Sequence, residues 1–230
     1  MEPPTARIRH MPVFTAKAQE AIASSATTGT GGYLNTKDIP TDGDGVRVSL
    51  LGCDGDESNS LTFYEIWGEV LDPKARSQDG SALRKPVRFA EEPTQAEITE
   101  RFDELGMIAG TSKFGKVDSV KLGFAFWIWN YGSEAVEIFQ FTQKPLVEAF
   151  QEAFQDEEVG IAPSKWDLSI KKVQKAKFVD YSVNLRPGKR ADKALNARVT
   201  AAFEEILDKG GNLSALLSGG DPFTNKEVPF

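Results

Sequence analysis

The chain has 230 residues, 40% hydrophobic and 27% charged, with 27 Lys and Arg against 34 Asp and Glu. That length allows one domain or two small ones, with a core that needs no covalent staple. A single cysteine (Cys53) and a single histidine (His10) exclude a disulfide framework and the usual Cys/His zinc sites. The longest apolar run, Leu122 to Trp129, falls well short of the roughly 20 residues a membrane helix needs. The N-terminus lacks an apolar signal core. The expectation is a soluble, cytoplasmic globular protein.

Residues 1–45 read as an arm. A short amphipathic stretch (Phe14, Ala18, Ala21, Ile22) runs into small polar residues and then a turn cluster at 41–45. Val46, Val48 and Leu50 alternate with polar neighbours, which is strand periodicity. Residues 61–71 supply a second strand and hence a hairpin. Residues 86–90 allow a short strand within a region that otherwise reads as loop. Thr94 and Glu97 have capping-box spacing, and Ile98, Phe102 and Leu105 then share one helical face. Residues 106–115 read as loop.

The centre, 121–143, contains two β-rich runs around Gly132-Ser133. Residues 145–158 read as a helix, with Pro145 in its first turn and Leu146, Phe150 and Phe154 in one stripe. Residues 166–173 and 176–186 form another hairpin pattern. Residues 191–209 have amphipathic helical spacing through Leu195, Val199, Phe203 and Ile206. Residues 211–230 are rich in Gly and Pro and read as a flexible tail. With no strand–helix alternation, the predicted fold is mainly β with α. It is a small antiparallel barrel of five to seven strands with two to three helices.

No phosphate-cradling glycine loop or nucleophile elbow is present. His10 lies in the arm, and Cys53 lies in a polar turn without a histidine partner. No carboxylate spacing marks a metal or acid/base site, so neither a cofactor nor a catalytic residue is assigned.

Charge is unevenly spread. Lys165 to Lys193 holds nine basic residues and three acids, so this window is strongly positive on an otherwise acidic chain. Such a stripe steers an anionic partner, although lysines on a hairpin edge also discourage aggregation. Alternation along 121–131 places Leu122, Phe124, Phe126 and Ile128 on one face. Lys121, Gly123, Ala125, Trp127, Trp129 and Tyr131 fall on the other. Open aromatic rings on a sheet are a platform for unpaired bases. The alternative is a strand buried on both faces, with the helix at 145–158 or that at 94–105 over the tryptophans.

These runs, with Trp129-Asn130-Tyr131, Thr142-Gln143-Lys144, the strand at 166–172 and Tyr181 to Val183, resemble the single-stranded DNA-binding proteins of tailed bacteriophages. The likeness spans about residues 31–188. It implies an oligonucleotide-binding (OB) Greek-key barrel over 46–188, followed by a C-terminal helix at 189–210. A Lys-rich tip on the second hairpin departs from the Gly-rich tip usual in the family. The chain ends in Pro229-Phe230, similar to the tips with which such proteins dock on replication or recombination enzymes.

The expected function is sequence-tolerant binding of single-stranded DNA during replication, recombination or repair. Bases would stack on Tyr64, Trp67, Trp127, Trp129 and Tyr131. Phosphates would run along Lys121, Lys171, Lys172, Lys175, Lys177 and Arg186. A non-enzymatic protein-interaction module with a barrel core is the alternative.

Overall fold

The computed structural model describes residues 32–54, 59–77, 80–111, 115–155, 162–175 and 178–224. His10, Lys177, Pro229, Phe230 and most of the expected arm lie outside the described residues. The nine strands are β1 (Gly32–Leu34), β2 (Val46–Leu50), β3 (Ser60–Val70), β4 (Arg84–Phe89), β5 (Met107–Ala109), β6 (Lys121–Asn130), β7 (Ala135–Phe141), β8 (Trp166–Gln174) and β9 (Val179–Pro187). Among the described residues the α-helices are α1 (Gln95–Glu104), α2 (Lys144–Ala153), α3 (Lys193–Asp208) and the single turn α4 (Ala215–Ser218).

Strand β6 organises the sheet because both of its edges are in use. One edge pairs with β7, placing Trp127 opposite Ile138 and Trp129 opposite Val136. The other is shared end to end by β3 and β2. Ser60 to Glu65 lie along Phe126 to Lys121, and Val48 to Leu50 lie along Asn130 to Ile128. Beyond its contact with β6, the long β3 pairs with β4 and β5. Strand β2 passes the sheet on to β8 and then β9.

Mainly β with helices is the observed class, but three details of the expectation are corrected. Among the described residues the strands number nine and the α-helices four, in place of five to seven and two to three, and β1 joins β7 in parallel, so the sheet is mixed. Among the described residues no ladder joins the outer strands, so the sheet is open and the closed barrel does not form. The physical reason lies in β3. It leaves β6 halfway along and spends its remaining hydrogen bonds on β4 and β5, so two branches diverge instead of meeting.

Three apolar clusters follow from the strand alternation. Ile128, Phe139, Phe141, Val48, Leu50, Leu168 and Ile170 pack on one face with Leu146, Val147 and Phe150 of α2. The Phe150 ring sits 4.6 Å from that of Phe141 and 5.8 Å from that of Phe126, centroid to centroid. Ile66, Val87 and Met107 pack against Ile98 and Phe102 of α1. Both halves of the predicted capping box are present at the start of that helix, and they draw the Glu97 carboxyl below its usual range.

The third cluster is on the opposite face of β6. Trp127, Trp129, Val136, Ile138 and Phe63 meet Val199 and Ile206 of α3, then Leu213 and Leu216. Residues 211–224, whose composition suggests a flexible tail, therefore help to cover the sheet. Phe223 meets the Trp127 ring edge-on at 5.2 Å. No described helix is long and apolar enough to cross a membrane.

Candidate nucleic-acid interface

Residues opposite each other in an antiparallel pair point to the same side. Phe63 lies opposite Gly123, and Leu61 opposite Ala125. Ser49 lies opposite Trp129 and also opposite Asp167, and Asp167 lies opposite Arg186. One face therefore runs from Trp67, Glu65 and Phe63 through Trp127 and Trp129 to Asp167, Lys171 and Arg186. Most of the predicted aromatic and cationic residues do share this face, but its centre is covered.

Trp127 is 1% exposed and Trp129 2%. Both were expected to form the stacking platform, and that assignment is corrected. Helix α3 buries them, because an amphipathic helix must hide its apolar stripe and this aromatic strip is its complement. Arg198 of α3 lies over the Trp129 ring at 5.4 Å and pairs with Glu134 at 3.2 Å.

Tyr131 is also committed to the structure. Its hydroxyl donates to Asp167 Oδ1 at 2.8 Å, and its ring lies near the cations of Arg47 (5.7 Å) and Lys189 (5.1 Å). The side chain of Asp167 is fully buried. It accepts from Arg47 Nε at 2.7 Å, Arg47 Nη2 at 2.6 Å and the Lys189 backbone N–H at 3.0 Å. Burial first, and then the bond to Asp167, push the Tyr131 phenol above its ordinary value. The cluster pins the β6–β7 turn, β2 and the end of β9 together.

At one end of the face a groove of about 930 Å³ remains open, lined by Trp67, Phe63, Lys121, Gln140, Thr142 and Lys144 among others. Trp67 is half-buried, and Lys121, opposite Glu65, is exposed. The indole N–H of Trp67 donates to Glu65 Oε1 at 3.0 Å, while Arg88 holds Glu65 Oε2 at 3.0 Å. Arg84, paired with Asp118, lies 5.9 Å from the indole. A buried carboxylate is tolerated only when satisfied, and here it fixes the angle of an accessible ring. Tyr64, the neighbour of Trp67 in the prediction, points to the opposite face by alternation and does not line the groove.

At the far end, a polar groove of about 560 Å³ is lined by Lys171, Lys172, Ser182, Asn184, Arg186 and Asp44. Three predicted phosphate-binding residues meet here. Arg186 is exposed and makes no ion pair among the described residues, whereas Lys172 Nζ donates to the Lys37 carbonyl at 2.6 Å. Lys175 pairs with Asp180 at 2.5 Å. That bond, with the Tyr181 N–H, lowers the Asp180 pKa.

Sequence reasoning did not single out Glu65, Arg88 or Phe178. An isolated carboxylate at an inward strand position is a usable signal for the first. No cluster of His, Cys, Asp and Glu suited to a metal occurs among the described residues. No protein-family model, curated protein or solved structure matches the chain.

Proposed function

We propose that this protein binds single-stranded DNA without reading its sequence, and that it serves replication, recombination or repair on an open, OB-like sheet. The observation that carries this reading is the groove at Trp67. It offers an accessible indole fixed by Glu65, with the cations of Lys121 and Lys144 at its rim. Rings give stacking energy to any base, and lysines meet phosphates without sequence preference. Docking of replication or recombination enzymes on Pro229 and Phe230 belongs to the same proposal.

The test is a fluorescence titration with oligo(dT) and with duplex of equal length. Oligo(dT) binds and weakens with salt, with a log–log slope of about −0.7 per neutralised phosphate. Trp67→Ala weakens it by about 1–3 kcal/mol. Equal affinity for duplex, or unchanged affinity in a folded Trp67→Ala variant, refutes the reading.

A further inference from the structure

We infer that a bound single strand engages two separate grooves on one sheet face, and that Phe178 is the stacking ring of the second. This rests on the single-strand-binding reading above. The Phe178 side chain is 57% exposed, and Val173 and Val179 beside it are each 38% exposed. It stands at the tip of the β8–β9 hairpin, where the Lys175 N–H donates to the Phe178 carbonyl at 3.0 Å. Lys175 Nζ lies 5.3 Å from the ring centroid, so a cation already sits against the aromatic surface.

Alternation places Phe178 on the same side as Asp180, Ser182, Asn184 and Arg186. Its ring stands on the same side as the groove that holds Lys171, Ser182 and Arg186, beyond the end of that groove and next to Val173 and Val179. An exposed apolar ring with a lysine against it, on the same side as a groove that holds Lys171 and Arg186, matches one partner chemistry, a base attached to a phosphate chain. Asp180, two residues from the ring on this side, is already paired with Lys175.

The two grooves are separated by the part of the face that α3 covers. Glu65 stands beside Lys121, and the row through Ser49, Asp167 and Arg186 stands beside Trp129. Those rows are roughly eight residue steps apart along β6, and Phe178, opposite Lys175, stands eight steps beyond the second row, about 53 Å in all at about 3.3 Å per step. At the 3.4 Å per nucleotide of a stacked strand, spanning that length takes roughly 16 nucleotides. A short oligonucleotide fits the larger groove at Trp67 alone, whereas a long one reaches Phe178 as well.

The test measures anisotropy of labelled dT4 and dT24 with the full chain and its Phe178→Ala and Phe178→Tyr variants. Phe178→Ala leaves dT4 affinity unchanged and weakens dT24 roughly 5- to 150-fold, the equivalent of one lost stacking contact. Phe178→Tyr restores dT24 binding. Equal weakening of both lengths, or of neither, overturns the two-groove inference while leaving binding at Trp67 intact. Failure of the unaltered protein to bind either length overturns the binding reading and this inference together. The exposed position of Phe178 lets the variant fold, and a thermal melt unchanged from the parent verifies it.

Discussion

Loss of the single charge at Asp167 removes support from several elements at once. Asp167→Asn keeps the shape of the side chain but removes the negative charge facing Arg47, the Tyr131 hydroxyl and the Lys189 N–H. The Tyr131 hydroxyl can turn and accept from the new amide, so the cost comes from the other contacts. Hydrogen bonds to charged groups contribute about 1.5–3 kcal/mol, against about 1 kcal/mol for neutral ones. Breaking a buried pair costs about 3–5 kcal/mol. The Arg47 side chain is 31% exposed, which lowers the total to about 2–4 kcal/mol. For a domain of this size that is a fall in Tm of roughly 5–15 °C. Urea unfolding of Asp167→Asn, Arg47→Met and the double variant gives the coupling directly. A coupling below about 0.5 kcal/mol refutes the argument that this carboxylate joins the turn to β2.

Trp127→Ala costs about 3–5 kcal/mol of stability, read by urea unfolding, because it empties the core beneath α3; a stable variant with lost DNA affinity contradicts this placement. Gly123→Ala destabilises by about 1–3 kcal/mol in the same assay, since a Cβ there would lie 2.6 Å from the Phe63 ring and 2.7 Å from Thr142. Burial raises Tyr131, and burial with the Asp221 carboxylate pushes Tyr33 up to about 12. Both phenols therefore stay protonated in the folded protein after the unfolded chain has lost its protons. Their contribution is complete below about pH 10 and declines from pH 10 upward. Tyr131→Phe flattens the loss of stability between about pH 10 and 12, measured by urea midpoints across that range.

Local elements were legible in the sequence because their signals are local. Thr94 and Glu97 specify the start of α1, and alternation specifies both faces of β6 and the outward side of β9. The helix predicted for 191–209 is present as α3. What covers the Trp127 and Trp129 face was not legible. Alternation tells which side a ring takes, and only long-range packing decides that α3 and Leu213 lie on it. The short β1 and β5 carry too few residues to show a period. The open sheet depends on where β3 parts from β6, a choice made by hydrogen-bond competition between distant strands. Trp67 and Tyr64 looked equivalent as aromatics three residues apart, yet that odd spacing sends them to opposite faces.

The contribution of Leu213, Leu216 and Phe223 to the cover over the tryptophans bears on how shortened versions of this chain behave. Cutting ahead of Leu213 strips apolar surface from a strip of indole rings, and such a strip seeks other molecules. Clumping or poor recovery of such a fragment would report an uncovered core.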